Sequence, residues 1–178
     1  MPKNKDISEK ENNTFIGDFQ IKDKELMSEI IDFFEKNKEF QQTARFGNYE
    51  LDKSKKDALE ITISPKQLTD NKHQIFAKYF DCLKISFNEY LNTWPFLRSI
   101  GKISSGSFHV QKYNPGGHYN SWHTERDSLK NSERVLVFMT YLNTLKGSGE
   151  TEFLHYGIKF EPREGRTIIW PAEWTHAH

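Results

Sequence analysis

The sequence is poor in cysteine, in long apolar runs and in surplus charge of either sign. Its one cysteine, Cys82, cannot form an internal disulfide or a cysteine-pair zinc site, which fits a reducing compartment. Lysine plus arginine and aspartate plus glutamate both number 25, so no basic surplus points to nucleic acid. No apolar run approaches the roughly 20 residues of a membrane span, and residues 1–13 lack the apolar stretch of a secretory signal. We therefore expect a cytoplasmic protein without a membrane or nucleic-acid partner.

Aromatic residues, by contrast, make up 14% of the chain, and their large side chains can fill one core although hydrophobic residues total only 35%. The polar residues 1–13 predict a disordered lead-in, and residues 14–178 predict a single domain. Residues 43–57 are polar and turn-rich, and the charged run 52–57 within them predicts a solvated loop.

Periodic apolar residues predict helices in the first half of the chain and strands mainly in the second. Helical spacing predicts helices over 24–37 and 66–92. Alternating or continuous apolar segments predict strands near 14–19, 58–63, 106–113, 118–123, 134–142, 151–155, 157–161 and 166–170. This order indicates a mainly β (α+β) fold, in which N-terminal helices support a jelly roll or barrel.

The stretch 113–125 carries the strongest functional signal, because it ends in His123-Thr124-Glu125. On a strand, alternate side chains share a face, so this imidazole and this carboxylate would point the same way. They make two-thirds of a 2-His-1-carboxylate triad, the ligand set that leaves open positions on non-haem Fe(II). The third ligand would come from the tail, where His176 and His178 are candidates. Zinc is the rival metal, although its familiar helical H-E-x-x-H spacing is absent.

Four segments in the C-terminal half follow one another in the order of a known family. The first is Tyr-Asn-Pro-Gly-Gly-His-Tyr at 113–119, which the His-x-Glu motif follows. The second and third are Val-Phe-Met-Thr-Tyr-Leu-Asn at 137–143 and Gly-Glu-Thr-Glu-Phe at 149–153. The fourth covers 160–172, where Pro-x-x-Gly-Arg precedes an apolar run and a second proline. Together they resemble the 2-oxoglutarate/Fe(II)-dependent oxygenases of the prolyl 4-hydroxylase-like type. The resemblance covers about 106–178.

The resemblance implies a double-stranded β-helix (jelly roll). It also implies an enzyme that uses Fe(II), 2-oxoglutarate as co-substrate and O2 to hydroxylate a C–H bond of a small-molecule or peptidyl substrate. Two other functions fit the same residues: a non-catalytic metal-binding jelly-roll module, and a cupin-like metalloenzyme that does not use 2-oxoglutarate. Nothing in the sequence predicts an oligomeric state.

The family pattern can be carried over at particular positions. It makes His123 and Glu125 the first two metal ligands and His178 the third, with His176 as the alternative, and implies no catalytic residue beyond the ligands. Tyr113 matches a tyrosine that in some relatives hydrogen-bonds 2-oxoglutarate. The family's Lys or Arg for the far carboxylate of 2-oxoglutarate lies about one strand beyond the distal histidine, so we expect this chain to be truncated. The cations within it that could substitute are Arg166, Lys112, Arg126 and Arg134.

Overall fold

The computed structural model describes residues 14–46 and 51–178. These residues contain two α-helices, α1 (Lys24–Lys36) and α2 (Gln74–Thr93). Their strands are β1 (Gly17–Gln20), β2 (Gln42–Thr43), β3 (Leu59–Ile63), β4 (Phe108–Lys112), β5 (Leu136–Thr140), β6 (Thr151–Phe153), β7 (Ile158–Phe160) and β8 (Arg166–Pro171). The predicted disordered segment 1–13 lies outside the described residues, and the division into that segment and one domain stays a prediction.

The strands form two three-stranded antiparallel sheets and one hairpin. The first sheet has the order β1-β8-β5, the second β2-β3-β4, and β6 pairs with β7. Central β8 buries Thr167, Ile168, Ile169 and Trp170 in succession, so both of its faces are covered. The predicted sheet-rich fold with few helices is confirmed, and the short strand β2 was not predicted.

Helix α1 begins and ends close to the predicted range. Asp23 caps it, with Oδ1 accepting a hydrogen bond from the Leu26 backbone N–H at 2.9 Å. Leu26, Met27, Ile30 and Phe34 recur at helical spacing and are buried. This stripe turns α1 toward α2 and the second sheet.

Helix α2 is shorter than predicted, because the helix expected to begin at residue 66 begins at Gln74. Two 3₁₀ turns, Pro65–Thr69 and Asn71–His73, precede it. Asp70 separates them in an extended conformation, and its side chain accepts a hydrogen bond from the Lys72 N–H. An aspartate that caps a new turn in this way interrupts a continuous helix.

Two apolar clusters hold the elements together. In the first, Phe76 of α2 packs edge-on against Phe33 of α1 and Phe108 of β4, with ring centroids 5.0 and 5.5 Å apart. In the second, Phe153 of β6 packs against Trp170 of β8 at 5.4 Å. The second cluster fills the space between β8 and the β6–β7 hairpin, next to the tail that follows β8. None of the helices in the described residues is long and apolar enough to cross a membrane.

The predicted strand 118–123 is wrong. Its residues form an irregular loop with one isolated antiparallel bridge, between Lys56 and Tyr119. The partner segment is itself a turn, in which the Lys56 N–H donates to the carbonyl of Asp52 at 3.0 Å. A ladder cannot extend along a turn, so pairing stops after a few bonds. The close approach needs a glycine, because a Cβ at Gly117 would lie 2.7 Å from the carbonyl oxygen of Asp57.

Candidate metal centre

The backbone brings the loop and the tail together at two histidines. The N–H of His123 donates to the carbonyl of His178 at 3.1 Å, and the N–H of His178 donates to the carbonyl of His123 at the same distance. Reciprocal bonds of this kind define a directly opposed antiparallel pair, whose side chains leave on the same side. The two imidazole centroids are accordingly 4.2 Å apart.

Further bonds fix the tail against the loop and the hairpin. The hydroxyl of Thr124 donates to the carbonyl of Ala172 at 2.6 Å, and the Arg126 N–H donates to the same oxygen at 3.0 Å. The N–H of Leu154 donates to the carbonyl of Ala177 at 2.9 Å. The position of the two histidines is therefore set by hydrogen bonds on both sides of the tail.

Glu125 completes a three-residue group with His123 and His178, whose potential ligand atoms all lie within 4.8 Å of one another. Its Oε1 is 3.7 Å from Nε2 of His123, and its Oε2 accepts a hydrogen bond from Nη1 of Arg134. Burial alone would raise the pKa of Glu125. The nearby imidazole of His123 and the charges of Arg134 and His178 outweigh burial and lower that pKa to about 2. The carboxylate is therefore ionised at neutral pH.

The group fits a divalent cation by its donors and its spacing. Two imidazoles and one carboxylate are the 2-His-1-carboxylate set of non-haem iron. Atoms bound to one ion at about 2.0–2.2 Å cannot be more than about 4.4 Å apart. The 3.7 Å between His123 and Glu125 already satisfies that limit, and the group's outer limit of 4.8 Å is within a small side-chain rotation of it. Burial lowers the pKa of His178 to about 4, so its ring is neutral and can donate a lone pair.

His176, the alternative third ligand, lies outside this group. It is 3% exposed, and its Nε2–H donates to the carbonyl of Thr14 at 2.8 Å. Its Nδ1 accepts a hydrogen bond from the hydroxyl of Thr175 at 2.9 Å. Both ring nitrogens are thus used inside the protein, whereas His178 faces His123 and Glu125. Binding of metal by His178 stays a prediction, and the geometry favours it over His176.

A lysine and a tyrosine that the sequence did not single out adjoin the group. The ring of Tyr119 stacks on that of His123, with centroids 4.0 Å apart and planes inclined by 17°. Nζ of Lys56 lies 4.7 Å from the centroid of the Tyr119 ring. Lys56 is buried, although the charged run that contains it was predicted to be solvated. Burial lowers the pKa of its ammonium, against the opposing influence of the Glu60 and Glu125 charges.

The two residues predicted to bind 2-oxoglutarate lie in different places. Tyr113 directly follows β4, and its hydroxyl donates to Oε1 of Gln111 at 3.3 Å. Local burial of the hydroxyl raises its pKa to about 12, although 41% of the residue is exposed, so the hydroxyl is protonated. Arg166 begins β8, about 20 Å along the strand from Ala172 by the usual rise per residue, and its guanidinium pairs with the carboxylate of Asp18. Arg166 as an anchor for 2-oxoglutarate stays a prediction that its placement does not support.

Three further cations were possible substitutes for that anchor, and each has an acidic partner. The pairs are Lys112 with Glu35, Arg126 with Glu173, and Arg134 with Glu125.

No family model matches this sequence, and no curated protein matches it either. A search of solved structures finds a crystal structure of a Pseudomonas putida prolyl-4-hydroxylase with a TM-score of 0.63. The match covers 93% of this chain and 85% of that one, at 18% sequence identity. The fold is prolyl-4-hydroxylase-like. This confirms the predicted fold relationship at the level of architecture.

Proposed function

We propose that this protein is a 2-oxoglutarate- and Fe(II)-dependent dioxygenase of the prolyl 4-hydroxylase-like type, which hydroxylates a C–H bond of a small-molecule or peptidyl substrate. The observation that carries the proposal is the grouping of His123, Glu125 and His178 in a prolyl-4-hydroxylase-like fold. The proposal includes closure of the antiparallel sheets as a double-stranded β-helix around this group. A cytoplasmic location stays a prediction of the sequence.

The residues present suit Fe(II) and leave room for its co-substrates. Three protein donors occupy three positions of an octahedral ion and leave three open. When bound, Fe(II) with 2-oxoglutarate and O2 would supply the oxidation that places a hydroxyl group on the substrate. Glu125 brings the negative charge, and Arg134 holds the carboxylate oxygen that faces away from His123. Hydrogen bonds of this kind orient a ligand before the metal arrives.

Turnover of 2-oxoglutarate tests the proposal. The Fe(II)-loaded chain should convert 2-oxoglutarate to succinate, even when no substrate is hydroxylated. Replacing His123 by alanine should abolish stoichiometric Fe(II) binding and succinate formation. The matched control is His109→Ala, which removes an exposed imidazole on β4 that bonds the hydroxyl of Thr62. This control should retain both properties, and equal metal content in the two variants would place the metal elsewhere.

The two alternative functions predict different outcomes of the same experiment. A non-catalytic metal-binding module would bind one metal ion through His123 and form no succinate. A cupin-like metalloenzyme would also bind metal, and its activity would not depend on 2-oxoglutarate. Metal binding without succinate formation, in a sample that contains Fe(II), O2 and 2-oxoglutarate, would therefore contradict the proposed dioxygenase.

A further inference from the structure

Lys56 is a buried charge without an acidic partner in the described residues. Its exposed fraction is 8%, and no carboxylate oxygen of residues 14–46 or 51–178 lies within 4.0 Å of Nζ. Its lysine neighbours in the same run differ, because Lys53 and Lys55 are much more exposed and lie 3.6 Å from Asp57 and Asp52. Lysine is almost never fully buried unless it is paired.

The side chain of Lys56 is directed toward the candidate metal centre. Nζ lies 4.7 Å from the centroid of the Tyr119 ring, and that ring stacks on His123 at 4.0 Å. The charge of Glu125 reaches the ammonium without forming an ion pair with it. The Tyr119 ring therefore contacts both the ammonium of Lys56 and the imidazole of His123.

The backbone holds this position firmly. The N–H of Asp57 donates to the carbonyl of His118 at 2.7 Å, and the N–H of His118 donates back to the carbonyl of Asp57 at 3.2 Å. The Asn120 N–H donates to the carbonyl of Lys55 at 3.0 Å. Bonds on both sides of Lys56 thus tie the backbone of its segment to the loop that carries His123.

A contact with one aromatic face recovers only part of the hydration that an ammonium loses on burial. An anion supplied from outside would complete the pairing. The cations Lys112, Arg126, Arg134 and Arg166 already have acidic partners, so they are less available to a ligand. Lys56 is the cation near the group that has none among the described residues.

We propose that Nζ of Lys56 binds the far carboxylate of the dicarboxylic acid that occupies the metal centre, with 2-oxoglutarate as the expected ligand. This inference rests on the proposed function, because it takes 2-oxoglutarate to be the co-substrate. It assigns the anion-binding role to a residue ahead of β3, in a loop that the family resemblance does not cover. The Tyr119 ring, which contacts both Lys56 and His123, would help to hold the two in place.

The test compares 2-oxoglutarate with 2-oxopentanoate, which has the same carbon chain and a methyl group in place of the far carboxylate. Both acids are titrated calorimetrically into the Fe(II)-loaded full chain without oxygen. A charged hydrogen bond to the far carboxylate should make 2-oxoglutarate bind about tenfold to hundredfold more tightly. In Lys56→Met this preference should fall to near unity. In the control Lys55→Met, which removes a neighbouring cation over the ring of Phe46, it should persist.

The ratio of the two dissociation constants does not depend on the fraction of folded protein, because both acids meet the same sample. Lys56→Arg keeps the charge and should keep part of the preference. An unchanged ratio in Lys56→Met, or no preference in the unmodified chain, would overturn the inference. If that happens while the unmodified chain still forms succinate, the proposed function stands and Lys56 has another role. If the unmodified chain binds no Fe(II), the proposed function fails and the inference fails with it.

Discussion

Alanine substitutions at two neighbouring histidines in the tail should affect different properties: folding stability at His176 and metal binding at His178. His176 is buried and bonded to the carbonyl of Thr14, whereas His178 faces His123 and Glu125. We expect His176→Ala to destabilise the fold and to leave one metal site per chain. We expect His178→Ala to remove that site and to affect stability much less.

The magnitudes follow from the contacts of each ring. His176→Ala loses the hydrogen bond to Thr14 and leaves a cavity between Tyr156 and Phe153, whose rings lie 5.2 and 6.5 Å away. A net hydrogen bond contributes about 0.5–1.5 kcal/mol, and truncation of a buried side chain adds to this, so the expected loss is at least about 2 kcal/mol. His178 is half-buried, and its Nδ1–H donates to the carbonyl of His176 at 3.0 Å. Its removal should cost about 1 kcal/mol.

Urea unfolding of the metal-free variants gives the two free energies, and anaerobic Fe(II) titration gives the number of sites. The reasoning would be refuted if His176→Ala lost the metal while keeping full stability, because His176 would then be the third ligand. It would also be refuted if His178→Ala bound Fe(II) as tightly as the unmodified chain.

Three further predictions concern the frame of the site. Phe76→Ala should cost about 3–5 kcal/mol in chemical denaturation because Phe76 is fully buried, whereas exposed Ile85→Ala should change stability by less than about 0.5 kcal/mol. Gly117→Ala should lower the melting temperature, since its Cβ would meet a backbone oxygen, and Gly106→Ala, with nothing within 4 Å, should not. Burial lowers the pKa of His178 from 6.5 to about 4. As the pH falls, this histidine is therefore protonated in the unfolded chain before it is protonated in the folded protein. Metal-free protein should therefore lose stability as the pH falls between these values, and His178→Ala should flatten that part of the profile.

The fold was predictable where apolar spacing and local caps agree. The range of α1 was correct to one residue because Asp23 and a buried stripe mark it together. The continuous apolar stretches that became β5 and β8 were also predicted. The start of α2 was not, because the apolar spacing runs through Asp70 while its side chain begins a new turn. The strand at 118–123 was predicted from local pattern, but its partner is a turn that supports one bridge.

His123, Glu125 and His178 were named together from the sequence, but the structure brings them together for a different reason than the one expected. Spacing on a strand was expected to align His123 and Glu125, yet these residues lie outside any strand. The backbone pair between His123 and His178 aligns the two imidazoles instead. The choice between the tail histidines depends on where each ring points. His176 turns to the carbonyl of Thr14, at the other end of the described chain, and spacing within the tail carries no information about that contact.

Lys56 shows why a charged run cannot be interpreted residue by residue from sequence. In the run 52–57, the lysines are equivalent by composition and all suit a solvated loop. The bridge to Tyr119 selects one of them for burial, and that contact joins segments about sixty residues apart. Burial of an ammonium is unfavourable unless an anion accompanies it, and no acid among the described residues pairs with this one. If Lys56 binds the far carboxylate of a dicarboxylate at the His123, Glu125 and His178 group, as we propose, one ligand would account for both the three-residue group and the buried lysine.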